Sequence, residues 1–142
     1  MADSSLPETF RTFVDDDTKY RRFLEACNDR ARQRGKLSIS QERLWERFTI
    51  QNPSFAHLGT QEILDAFAIC HVHLIRLRVA RIPIRKGVRD IYYDPDYEKR
   101  LASVPYSTRF VTDSPAWGAE IHIEVFHCDD CLSKRRQMEN HA

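Results

Sequence analysis

Two short pairs of metal-competent side chains constrain this sequence more than any other feature. They are Cys70-His71-Val72-His73 and Cys128-Asp129-Asp130-Cys131. Two intervening residues let the side chains of such a pair converge on one ion, and two pairs supply the four donors of a tetrahedral zinc. Each pair also adjoins a stretch that alternates in polarity. Ile75, Leu77 and Val79 alternate with Arg76 and Arg78 after the first pair, and Glu120 to His127 alternates before the second. That period is the mark of a half-buried strand.

The order matters, because one pair precedes its strand and the other follows its strand. Antiparallel pairing of the strands therefore brings both pairs to the same end. The sequence predicts a register that sets Ile75 opposite Val125, Leu77 opposite Ile123 and Val79 opposite Ile121. On the other face it sets Arg76 opposite Glu124 and Arg78 opposite His122. Apolar then meets apolar on one face, and charged or polar groups meet on the other, as cross-strand energetics favours. The same register places Val72 near Cys128 and Cys70 near Asp130.

The expected ligands are Cys70, His73, Cys128 and Cys131, holding one structural zinc. His71 and His127 compete with His73 for the fourth position, since each adjoins a ligand. Three thiolates and a neutral imidazole carry a formal charge of about −1 on zinc, which Arg76, Lys134 and Arg135 are placed to offset. A catalytic zinc keeps an open position, and four protein donors leave none. Cys27 falls in the apolar stripe of a helix and reads as a buried free thiol.

Upstream of Cys70 the pattern is helical. Residues 1 to 13 show no clear period and read as an arm anchored by Phe10 and Phe13. Asp15 to Asp17 supply a cap for a helix carrying Tyr20, Phe23, Leu24, Cys27 and Ala31, with Gly35 as its stop. A second helix follows Ser38 or Ser40, carries Leu44, Trp45 and Phe48, and ends at Asn52-Pro53. A third follows Gly59-Thr60, with Thr60 as cap and Ile63, Leu64, Phe67 and Ala68 as its stripe. Downstream, Pro83 marks a sheet edge or bend, and residues 86 to 118 are rich in turn formers. A short helix is expected from Asp96 to Ala102, and a last basic helical turn from Cys131 to Glu139.

The fold expected is therefore α+β, with N-terminal helices packed on a small antiparallel zinc-ribbon-like sheet. Residues 1–69 form the helical region, and residues 70–142 form the zinc-ribbon-like β-unit with a loop-rich insertion, together one compact domain. Residues 70 to 131 resemble short uncharacterised bacterial proteins that share a Cys-x-x-His pair, a strand reaching a Pro-Ile pair near a glycine, and a strand ending in Cys-x-x-Cys. The matching parts here are Cys70 to His73, Ile82-Pro83-Ile84 with Gly87, and Ile121 to Cys131. The resemblance implies a zinc-ribbon-like fold and carries no function with it.

Charge and composition narrow the function. Twenty-two basic and 21 acidic residues leave a net charge of +1, which does not suit a protein that relies on overall charge to hold nucleic acid. The sequence has no apolar run long enough for a membrane span and no leader-like N-terminus. A cytoplasmic setting is expected, where cysteines serve as thiols or metal ligands. His122-Ile123-Glu124 before Cys128-x-x-Cys131 superficially matches the motif of zinc deaminases. Those enzymes carry the two elements on separate helices with a proline before the first cysteine, and here His127 stands there.

The first reading is thus a non-enzymatic module that binds another protein, such as an immunity- or antitoxin-like partner or a regulatory adaptor, with Tyr92, Tyr93 and Tyr97 as interface aromatics. The second is nucleic-acid binding through Arg76, Arg78, Arg81, Arg85, Lys86 and Arg89, with Lys134 to Arg136. Enzymatic and redox roles come last, with no phosphate loop or catalytic set visible.

Overall fold

The structure, a computed structural model, describes residues 6–29, 35–85, 99–108, 111–112 and 122–140. Its contacts divide the chain into two units, Met1–Leu74 and Ile75–Ala142. The α+β class read from the sequence is the one the chain adopts, with helices in the first unit and the sheet in the second.

The first unit opens on a helix, α1 (Leu6–Val14), where an arm was expected. Leu6, Phe10, Phe13 and Val14 recur at helical spacing, and Pro7 sits in the first turn, where a missing N–H costs nothing. Asp15 ends α1 in a left-handed conformation, φ 50°, with its N–H donated to the Arg11 carbonyl. Aspartate tolerates that region better than most residues. Asp16 then caps α2 (Asp17–Asn28), accepting the Lys19 N–H at 3.0 Å.

Helix α2 stops at Asn28, short of the glycine expected to end it. Gly35 does take a positive φ of 78°, but α2 has already ended. The buried Asn28 amide reaches the carbonyls of Leu24, Phe67 and Ile69. It ties the end of α2 to the chain leaving the fourth helix.

Helix α3 (Ile39–Gln51) starts as expected, from Ser38. The Ser38 hydroxyl accepts the Gln41 N–H, and the Gln41 side chain accepts the Ser38 N–H in return, which satisfies two helix-end donors at once. Asn52-Pro53 ends it and opens a short 3-10 turn, Pro53–Phe55. Helix α4 (Thr60–Ala66) begins one residue earlier in its capping than expected. Gly59 is the cap, and the Glu62 side chain accepts its N–H.

These helices meet on Phe10. Its ring centroid lies 4.5 Å from that of Phe23, 5.0 Å from Phe67 and 5.1 Å from Phe48. Leu6, Leu24, Trp45 and Ile63 complete a continuous core. A Phe-to-Ala change at such a hub costs about 3–5 kcal/mol.

The second unit is a three-stranded sheet in the order β2-β1-β3. Strand β1 (Arg78–Arg85) pairs antiparallel with β3 (His122–His127), and β2 (Val111–Thr112) adds a two-residue parallel pairing at the far end of β1. The antiparallel sheet expected from the sequence is thus extended by a parallel edge. Pro83 stands where the neighbours change. It faces His122 of β3, and β2 joins only from Ile84 onward, so the N–H that Pro83 lacks has no β2 partner to miss.

The predicted register is wrong. Arg78 faces His127, Ala80 faces Val125 and Ile82 faces Ile123. Relative to the expected pairing, β3 has slipped by an odd number of residues, which exchanges the two faces. The inner face carries buried Ile82 with half-buried Ala80, Ile123 and Val125, while Val79 is 55% exposed. The cause lies before the strand. Residues 71–73 form a turn, and Leu74 takes a left-handed φ of 57°, so the alternation at Ile75, Leu77 and Val79 does not belong to one continuous strand.

Helix α5 (Asp129–Asn140) follows β3 directly and contains the basic helical segment expected from Cys131 to Glu139, beginning two residues earlier. Asp129 and Asp130 in its first turn favour the helix dipole. Arg135 fastens it to the segment before β2 by donating to the Ser107 carbonyl at 2.9 Å, and it pairs with Glu139 at 3.2 Å. Residues 99–101 are helical, within the short helix expected there. Arg30 to Arg34, Lys86, Arg89, Tyr92, Tyr93 and Tyr97 fall outside the described residues.

Candidate metal centre

The Cys70–His73 and Cys128–Cys131 pairs fold into the same local shape. In the first, the Cys70 carbonyl accepts the Leu74 N–H at 2.8 Å, and the Cys70 sulfur accepts the His73 N–H at 3.4 Å. In the second, the Cys128 carbonyl accepts the Leu132 N–H at 3.0 Å, and the Cys128 sulfur accepts the Cys131 N–H at 3.4 Å. A turn that closes on its own sulfur points both side chains of the pair the same way. For the second pair the opening of α5 supplies that turn. For the first pair, Leu74 in its left-handed conformation ends it.

The donor atoms of Cys70, His73, Cys128 and Cys131 all lie within 4.8 Å of one another. The three cysteines are fully buried and free of disulfides. Cys70 Sγ and His73 Nδ1 are 3.6 Å apart. Ideal tetrahedral zinc, with bonds of about 2.3 Å to sulfur and about 2.0 Å to nitrogen, would separate such atoms by roughly 3.5 Å. The four residues can therefore hold a metal ion, and thiolate and imidazole together suit zinc.

His73, not its neighbours, belongs to this group. The His127 ring is buried and directs Nε2 to the Thr108 carbonyl at 2.7 Å. His71 contributes its backbone instead. Arg21 Nη1 donates to the carbonyls of His71 and Val72 at 2.8 and 2.6 Å, while Arg21 Nε pairs with Asp17 at 2.7 Å. That hydrogen bond, with the attraction of the Arg21 charge, holds the Asp17 carboxyl below the usual carboxylate range.

Arg21 is the contact to the first pair that the sequence pattern did not expose. It lies in another helix, and its spacing from Asp17 reads only as an ordinary surface pair. Of the cations expected to balance the ligands, Arg135 is committed to Glu139 and Ser107. The positive charge seated on the first pair's own backbone is that of Arg21.

Cys27 is the buried free thiol expected. Burial pushes it up to about 12, partly opposed by the Gln41 amide, which donates to its sulfur at 3.2 Å. The deaminase-like residues His122 and Glu124 are exposed on β3, opposite Pro83 and Arg81, and neither belongs to the cysteine group. No helix among the described residues is long and apolar enough to cross a membrane.

No protein-family model, curated protein or solved structure matches this chain. The likeness to bacterial zinc-ribbon-like proteins therefore rests on the residue pattern alone.

Proposed function

We propose that this chain binds one structural zinc ion through Cys70, His73, Cys128 and Cys131, and serves without catalysis of its own as a module that engages another protein. The convergence of four donor atoms within 4.8 Å carries this reading. Four protein donors close the coordination shell, which is the arrangement of structural zinc and not of catalytic zinc.

The interaction role is supported by the outer face of the β1–β3 pair. Exposed Val79 lies opposite Phe126, flanked by Arg81 opposite Glu124. An apolar pair rimmed by charge is the usual build of an interface patch. Against nucleic acid as the partner, Arg78 is bonded to Asp129 at 2.9 Å and Arg81 faces Glu124. Two of the arginines on which that reading depends thus have acidic neighbours.

Elemental analysis of the purified chain beside Cys128→Ser tests the metal. One zinc per chain, lost in the variant, supports the proposal, and no zinc in the unaltered chain rejects it. A photoreactive residue at Val79, cross-linked in the source cell, tests the partner. Cross-links to a defined protein there, and none from a probe at exposed Lys134, support this face, and equal labelling from both rejects it.

A further inference from the structure

The first unit contains a groove of about 460 Å³ lined by residues of α1, α2 and α3, within the range of small-ligand sites, roughly 300–1,000 Å³. Its apolar lining comes from Phe13 and Val14 at the end of α1, Phe23 and Ala26 of α2, and Leu44 of α3. Phe13, Val14 and Leu44 pack only partly against the core, so each keeps an open side.

The polar lining is one-sided in charge. Lys19, Arg22 and Arg47 line the groove, and no carboxylate does. Gln41 reaches the Phe23 carbonyl and the Cys27 sulfur, which sets α3 beside α2. Lys19 and Arg22 come to the lining from α2 and Arg47 from α3. Among the described residues none of these three cations has an ion pair. The two carboxylates nearest Lys19 in sequence are otherwise engaged: Asp16 accepts the Lys19 N–H, and Asp17 binds Arg11 and Arg21.

Three cations without an ion pair lining an apolar groove favour a ligand that is anionic at one point and apolar elsewhere. We propose that this groove binds a small amphipathic carboxylate, of the medium-chain fatty acid class. The carboxylate sits among Lys19, Arg22 and Arg47, and the hydrocarbon chain lies on Phe13, Val14, Phe23 and Leu44. The site uses no residue of the metal centre, so it stands or falls separately from zinc binding.

Octanoate is the probe, with 1-octanol as its neutral counterpart, titrated into the full chain and followed by amide NMR shifts and calorimetry. Octanoate should shift the amides around Phe13, Val14, Phe23, Ala26 and Leu44, and should bind at least tenfold more tightly than 1-octanol. The double change Lys19→Gln with Arg47→Gln, both on exposed side chains, should weaken octanoate at least tenfold, leaving 1-octanol and the melting temperature unchanged. Ala26→Phe, which fills the groove without altering charge, should block both probes. Three results would overturn the proposal. They are no response to octanoate, equal binding of the acid and the alcohol, and a response in these residues to an acidic Glu-Leu peptide but not to octanoate.

Discussion

The guanidinium of Arg21 is hydrogen-bonded to the carbonyl of Val72 at 2.6 Å. Val72 lies between Cys70 and His73, so a helix formed fifty residues earlier holds the backbone of the first ligand pair. The contact ties down the turn that carries Cys70 and His73, and it seats a positive charge on that turn. Groups that orient metal ligands in this way typically change affinity by about 10–100-fold when removed. Arg21→Gln should weaken zinc within that range, measured by competition with a chromophoric chelator. Arg21→Lys should recover only part of the loss, because one ammonium cannot reproduce both the carbonyl contacts and the Asp17 pair.

The same guanidinium gives the first unit an acid sensitivity. Asp17 is held low by Arg21, so the stability it contributes is present above its unfolded pKa and is lost as pH falls through its folded one. Asp17→Asn should shrink the drop in melting temperature on acidification below pH 4, followed by circular dichroism.

Cys27 responds at the opposite end of the scale. Its folded pKa is raised to about 12 from an ordinary 9.0, so the unfolded chain ionises first and stability falls as pH rises between those values. Cys27→Ala should flatten that alkaline decline, at the cost of a cavity. In the native chain at pH 8 the thiol should resist alkylation, and mass spectrometry after iodoacetamide should find Cys27 unmodified until denaturant is added.

The observed register can be told from the expected one by two substitutions. Ile82 is buried opposite Ile123, and Val79 is exposed. Ile82→Ala should cost about 2–5 kcal/mol, and Val79→Thr should stay within roughly 0.5 kcal/mol of the unaltered chain. Urea unfolding curves measure both. The expected register puts Val79 inside and reverses that order.

What could be read in the sequence depended on how local the determining interactions are. The ligand pairs were legible because the geometry of a knuckle is set within four residues, as the matching hydrogen bonds at Cys70 and Cys128 illustrate. Helix α3 was legible because Ser38 and Gln41 cap each other at short range. The strand register was not. It depends on Leu74 adopting a left-handed conformation, which a leucine does not advertise, and on the resulting break between Leu77 and the ladder. Helix α1 was within reach, since Leu6, Phe10 and Phe13 already carry its period. Its role as the hub of the aromatic core depends on Phe23, Phe48 and Phe67 from three other segments. Arg21 acts across half the first unit, and no short-range pattern marks it.

Zinc K-edge X-ray absorption of the purified chain tests the central claim most directly. The account predicts a bound zinc whose shell fits three sulfurs at about 2.3 Å and one nitrogen at about 2.0 Å. In His73→Ala that nitrogen should be lost, and in His127→Ala it should remain. Absence of zinc, a shell with fewer than three sulfurs, or a nitrogen that survives His73→Ala would contradict it.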